Sequence, residues 1–132
     1  MAGQGNRPLS PHLGVWKWGP AMAVSILHRI SGDGLAIVGA SLLVWWLYSI
    51  SGGPESYELF VTCMTSVPGY IVLIGISWAI FQHMFSGIRH LIMDMGAGFE
   101  LKTNAMWSIL VPVLAITATA GLWVFIFTKN FG

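Results

Sequence analysis

Residues 59–88 read LFVTCMTSVPGYIVLIGISWAIFQHMFSGI, a stretch that contains no Asp, Glu, Lys or Arg. Residues 34–54 and residues 103–128 are two further stretches without these charges. Each is long enough for the ~20 residues with which a helix crosses ~30 Å of hydrocarbon. The apolar runs are continuous, whereas a transmembrane β-barrel needs alternation. The sequence therefore predicts an all-α membrane protein with three transmembrane helices.

The composition of the chain excludes several other classes. Of the 132 residues, 55% are hydrophobic and 8% are charged, whereas soluble domains carry about 25% charged residues. A formal net charge of +1 provides no basic surface for nucleic acid. The single cysteine, Cys63, cannot form an internal disulfide or a cysteine-based metal cluster. A water-soluble globule, a disordered segment and a nucleic-acid-binding domain are all poor interpretations.

The helix ends have local markers. Pro20 and Pro68 are suited to first helical turns, and Asn104 is suited to an N-cap. With these markers we expect helices over about residues 21–51, 65–93 and 105–127. They form a single membrane-anchor domain over residues 1–132, in which residues 1–20 are an N-terminal segment on the inner side.

The basic residues predict the orientation in the membrane. They place the N-terminus and the second interhelical loop inside, and the first loop and the C-terminus outside. The charges concerned are Arg7, Lys17, Arg29, Arg89 and Lys102 on the inner side, and Glu55, Glu58 and Lys129 on the outer side.

The N-terminal segment shows neither the apolar core of a signal peptide nor the pattern of an organelle transit peptide. We therefore expect a multi-pass protein of the bacterial inner (cytoplasmic) membrane. If a transit peptide has been removed, the expected location is the mitochondrial inner membrane; Met1 favours the bacterial location.

His83 lies deep in the second predicted span. If Arg89 marks the inner interface, His83 is about 9 Å deeper at 1.5 Å per residue. Gly87, His90 and Asp94 fall on the same helix face at 100° per residue. A glycine beside a buried histidine leaves room for a flat group such as haem, whose iron takes a neutral imidazole nitrogen. A histidine that is hydrogen-bonded to a neighbouring helix explains the pattern equally well.

A second polar group occupies the first predicted span. Ser25, Arg29 and Gly32 share one face, and a hydroxyl with a guanidinium can hold a carbonyl oxygen and stabilise negative charge on it. Alternatively, Arg29 is an interfacial anchor and the small residues serve helix packing. His28 could pair with an acidic group or remain solvated.

Taken together, three motifs in this order resemble the cytochrome b membrane-anchor subunit of succinate dehydrogenase, respiratory complex II, the larger of its two small anchors. The resemblance covers nearly the whole chain. The motifs are Arg7-Pro8-Leu9-Ser10-Pro11-His12, Ser25-Ile26-Leu27-His28-Arg29-Ile30-Ser31-Gly32 and His83-x-x-x-Gly87-Ile88-Arg89-His90-Leu91-x-x-Asp94.

The resemblance implies a role for each matching residue. His83 would be an axial ligand of haem b, and a second small anchor subunit would supply the other ligand and complete the helix bundle. Ubiquinone would bind at Ser25, Ile26 and Arg29. The propionates of the haem, or the residues around it, would be supported by His28, Arg29, Arg89, His90 and Asp94.

The resemblance also implies an iron–sulfur subunit and a flavoprotein subunit as partners, and no turnover by the isolated chain. Electrons from succinate would reach ubiquinone through these subunits. The alternatives are the anchor of a quinol-oxidising fumarate reductase and a haem-free structural anchor. A transporter or channel subunit is a weaker interpretation, because the sequence has no repeats or paired broken helices.

Overall fold

The structure is a computed structural model that describes residues 17–131, with the side chains of residues 17–129. Within this part of the chain all regular structure is helical. The helices are α1 (Pro20–Ser51), α2 (Pro54–Met64), α3 (Val67–Asp94) and α4 (Leu101–Phe131). Helices α1, α3 and α4 are long and apolar enough to cross a membrane, which confirms the predicted all-α fold with three spans.

Helix α1 begins and ends where the sequence predicts. Pro20 lies in its first turn, where the missing N–H has no partner to lose. The helix contains one wide turn of π-helix at Leu35–Gly39, between α-helical Pro20–Gly34 and Ala40–Ser51. It ends before Gly53, whose φ of 90° favours glycine.

The sequence predicts a loop between the first two spans, but the segment there is largely helical. Most of it forms α2, with Pro54 in the first turn. Helix α3 then begins at Val67 instead of residue 65, because the hydroxyl of Ser66 accepts a hydrogen bond from the backbone N–H of Gly69 at 3.3 Å. A search for charge-free runs long enough to span a membrane overlooks a helix of this length.

The third span starts earlier and ends later than the predicted 105–127. Its first residue is Leu101, and the backbone N–H of Asn104 donates to the carbonyl of Glu100 at 2.8 Å. The predicted N-cap at Asn104 is therefore wrong. The side chain of Asn104 instead accepts a hydrogen bond from Arg89 of α3.

Helices α1, α3 and α4 pack against one another as a three-helix bundle, and α2 packs beside one end of it. We call the two ends the Asp94 end, where α1 and α4 begin and α3 ends, and the Ser51 end. At the Ser51 end, the indole N–H of Trp123 donates to the hydroxyl of Ser77 at 3.3 Å. The bundle interior contains both apolar and polar side chains: Val24, Ser31, Ala79, Gln82, Ser86, Arg89, Ser108, Val111, Ala115 and Thr119.

Candidate functional site

Helix α3 holds His83 against the backbone of α1. Nδ1 of His83 lies 3.1 Å from the carbonyl oxygen of His28 and 3.3 Å from the hydroxyl of Ser31. That hydroxyl donates to the same carbonyl at 2.9 Å. A carbonyl oxygen can only accept, so the hydrogen-bond geometry assigns the hydrogen of the ring to Nδ1. In the neutral imidazole, Nε2 then keeps its lone pair and can bind a metal.

The close approach of α3 to α1 depends on a glycine. A Cβ added to Gly32 would lie 2.9 Å from Cε1 of His83 and 3.3 Å from its Nδ1. The ring cannot easily move aside, because its two contacts with α1 fix its position. The absence of a side chain at Gly32 therefore makes room for the ring of His83.

Three histidine rings lie together at this place. The ring of His28 is stacked on that of His83, with centroids 4.1 Å apart and planes at 8°. The ring of His90 is tilted by 56° at 5.0 Å from His28. The ring next to Gly87 is that of His28, whose Cε1 would lie 3.9 Å from a Cβ at that glycine.

The histidine cluster, defined as His28, His83 and His90, is not by itself a metal centre. Among the described residues, no three His, Cys, Asp or Glu side chains are placed to hold a metal ion. A metal bound by His83 would therefore need further ligands from outside the described residues, such as a porphyrin and a partner chain.

Two of the predicted site residues lie apart from this cluster. Arg89 is 6% exposed and donates to Asn104 of α4, so its side chain lies in the α3–α4 contact. Asp94 is exposed at the end of α3. The structure thus brings His28, His83 and His90 together, and leaves Arg89 and Asp94 outside their contacts.

Ser25, Ile26 and Arg29 lie near the Asp94 end of α1. Ser25 and Ile26 are half-buried and Arg29 is exposed. Within the described part of the chain, neither the Ser25 hydroxyl nor the Arg29 guanidinium makes a hydrogen bond or ion pair. Both polar groups are therefore available to a ligand or partner.

The sequence predicts no role for Ser31, only a packing role for Gly32, and a helix cap at Asn104 instead of its contact with Arg89. The feature of the sequence that could have pointed to Ser31 and Gly32 is their position in the second motif, one turn beyond His28. The first motif, residues 7–12, lies outside the described residues.

Comparison with known proteins places the chain among membrane subunits of one respiratory enzyme. The profile of the family described as "Succinate dehydrogenase/Fumarate reductase transmembrane subunit" matches residues 4–122. The succinate dehydrogenase cytochrome b556 subunit of Rickettsia felis is 39% identical over 119 residues, which cover 90% of this chain and 92% of the relative.

Two other relatives belong to Paracoccus and to mouse mitochondria. The cytochrome b556 subunit of Paracoccus denitrificans is 39% identical over 99 residues, 75% of each chain. The mitochondrial cytochrome b560 subunit of Mus musculus is 36% identical over 123 residues, which cover 89% of this chain and 70% of the relative. These relatives and the three apolar helices indicate a multi-pass inner-membrane protein.

Proposed function

The chain belongs to the family of succinate dehydrogenase/fumarate reductase transmembrane subunits, and on this premise we propose that it binds haem b together with a second anchor subunit and helps to form the site of ubiquinone reduction. Its catalytic partners are then a flavoprotein subunit, where succinate is oxidised, and an iron–sulfur subunit that carries the electrons to the membrane. We expect no turnover from the isolated chain, because the flavin and the iron–sulfur clusters belong to these partner subunits.

The hydrogen bond of His83 is the observation that carries the haem assignment. Because Nδ1 donates to the carbonyl of His28, Nε2 is the nitrogen left to bind a metal. A metal-bound histidine is typically oriented by such a hydrogen bond from its other ring nitrogen. His83 would hold the haem iron from this chain, and the partner anchor would supply a further ligand. When bound, the haem supplies a one-electron carrier within the membrane.

His28 and His90 stand beside the ligand ring and are the nearest candidates to support the propionates. Their rings contact one another and, through His28, the ring of His83. Arg29, exposed on the same turn as His28, can donate to a carboxylate. Propionate support from Arg89 and Asp94 remains a prediction from the motif, since Arg89 is engaged with Asn104.

Ser25, Ile26 and Arg29 form the proposed quinone surface. The Ser25 hydroxyl donates a hydrogen bond to a carbonyl oxygen of the ring, and Ile26 packs against the ring face. The guanidinium of Arg29 stabilises the negative charge that the oxygen gains as electrons arrive. The half-buried position of Ser25 and Ile26 beside exposed Arg29 supports this division of roles.

A reduced-minus-oxidised difference spectrum of the purified complex tests the haem assignment. In His83→Ala the b-type band should disappear, because the chain loses its ligand nitrogen. The matched variant His90→Ala, in the same cluster, should keep the band with at most a small shift. If His83→Ala kept an unshifted band, His83 would not be the ligand and the assignment would fail. If the unsubstituted complex had no band, the chain would be a haem-free structural anchor.

A further inference from the structure

Helix α1 carries a carboxylate near the middle of its span, at Asp33. The span runs from Pro20 to Ser51. At 1.5 Å per residue, Asp33 lies about 20 Å along the helix from the first residue and about 27 Å from the last. It directly follows Gly32, whose missing side chain leaves room for the ring of His83. Asp33 is therefore at the depth of the proposed haem ligand, where an ionisable side chain is costly unless it is paired.

The side chain of Asp33 lies on the outer side of the bundle. At 100° per residue it is about 180° around the helix from Val24 and about 200° from Ser31, the two buried residues of Pro20–Gly34. Asp33 is exposed, and among the residues that the structure describes it makes no hydrogen bond or ion pair. We therefore expect its pairing group to come from another molecule in the membrane.

The surroundings of Asp33 restrict what that molecule can be. Its exposed neighbours on this side of α1 are the apolar Ile30 and Ile37, and acyl chains of lipid contain no hydrogen-bond donor. A second copy of this chain in the same orientation would present its own Asp33 at the same depth, so two like charges would face each other. A water-soluble subunit reaches only the ends of the bundle. A transmembrane helix of a different chain meets the requirement.

We propose that the face of α1 formed by Ile30, Asp33 and Ile37 is the contact surface for the second anchor subunit, and that a donating side chain of that subunit binds the carboxylate. The inference rests on the proposed function, which supplies the second anchor subunit. Polar side chains within spans commonly hydrogen-bond across to a neighbouring helix. The competing partner is Arg29, which is close enough at a spacing of four residues, although the two side chains form no ion pair here.

Photo-cross-linking in the intact complex tests the surface without changing Asp33. A benzophenone side chain introduced as Ile37→p-benzoylphenylalanine, at a position that is 68% exposed, should form an adduct with the second anchor subunit, identified by mass spectrometry. Adducts with lipid alone, or with a second copy of this chain, would overturn the proposal. If the purified complex contained no second anchor subunit, the proposed function would fail too. A complex that contains this subunit but gives no adduct with it refutes only the contact surface.

Substitution of Asp33 gives a second test, in which pairing and lipid exposure predict opposite results. With pairing, Asp33→Leu leaves a donor of the second anchor subunit without its partner, so the amount of that subunit that copurifies should fall several-fold. Asp33→Asn keeps an acceptor oxygen and should lose less of it. With lipid exposure, Asp33→Leu removes a costly group from the hydrocarbon, so the subunit should copurify in full and the unfolding temperature should rise.

The control for this test is Glu58→Leu, which replaces an exposed carboxylate of α2 outside the three spans. It should leave the content of the second anchor subunit unchanged. A density map of the complex in which Asp33 contacts Arg29, and no group of the second anchor subunit, would also contradict the proposal. If Asp33→Leu fails to assemble, Asp33→Asn and the adduct at position 37 decide.

Discussion

At the scale of single residues, the contact between Gly32 and His83 leaves no room for a larger side chain at position 32. In Gly32→Ala the new methyl group would lie 2.9 Å from Cε1 of His83. Overpacking of this kind costs about 1–3 kcal/mol, and any shift of the ring weakens its bonds to α1. We expect haem content, measured from the absorbance of the purified complex, to fall.

The matched control for this prediction lies two residues away. A Cβ at Gly34 meets no atom within 4 Å, so Gly34→Ala should keep the haem and gain up to about 1 kcal/mol from helix propensity. Equal haem content in Gly32→Ala and Gly34→Ala would show that the ring of His83 is not confined by α1.

The quinone surface yields a second prediction for single residues. Ser25→Ala removes one hydroxyl, and a hydrogen bond to a reacting oxygen contributes about 0.5–1.5 kcal/mol. Quinone reduction should fall by about three- to tenfold, and further in Arg29→Leu because charge stabilisation is lost. Succinate oxidation with a soluble acceptor that takes electrons from the flavin should not change in either variant.

Ser41→Ala is the control for the hydroxyl, since Ser41 is an exposed serine of α1 that bonds to the carbonyl of Ile37. It should reduce quinone at the normal rate. Full quinone reductase activity in both Ser25→Ala and Arg29→Leu would show that these residues serve only in packing and anchoring.

The sequence allowed the prediction of His83 but not of its surroundings, for a physical reason. Its depth follows from counting residues along one helix. The contacts with Ser31 and Gly32 depend on the register between α1 and α3, which no periodicity within either helix specifies. The tautomer of His83 follows from the same register, because the carbonyl of His28 determines which nitrogen carries the hydrogen.

At the scale of the helices, the hydrogen bond from Arg89 to Asn104 joins α3 to α4. Asn104→Leu would leave a buried guanidinium with one partner fewer, and hydrogen bonds to charged groups contribute about 1.5–3 kcal/mol. We expect a lower unfolding temperature of the complex. Thr119→Val on the same helix should have a much smaller effect, because that hydroxyl donates within α4, to Ala115. An equal shift in the two variants would show that the link between the helices contributes little.

The helices also show which features cannot be predicted from charge-free runs. Such runs located all three spans, since crossing the hydrocarbon requires length and low charge. They could not reveal α2, which carries Glu55 and Glu58 within one turn. Nor could they fix the start of α4, because Lys102 lies inside its first turn and interrupts the charge-free run.

At the scale of the whole molecule, the bundle exposes apolar side chains on every span. The polar residues with a proposed role lie instead toward the Asp94 end. Arg29, half-buried Ser25 and the histidine cluster are all there, on α1 and α3. A soluble module that delivers electrons would therefore dock at this end of the bundle, with the second anchor chain beside it. The basic residues predict that this end faces the inner compartment.

Three new cysteines can test that orientation in a background in which Cys63, the one native cysteine, is replaced by serine. Exposed positions are available in α2 (Glu58), in the turn after α3 (Ala97) and near the C-terminus (Lys129). With three spans and the basic N-terminal side inside, a membrane-impermeant maleimide added to right-side-out vesicles should label Glu58→Cys and Lys129→Cys. Inside-out vesicles should give labelling of Ala97→Cys alone. Lys129 is the one basic residue placed outside, so labelling of Lys129→Cys from the same side as Ala97→Cys would contradict both the orientation and the number of spans.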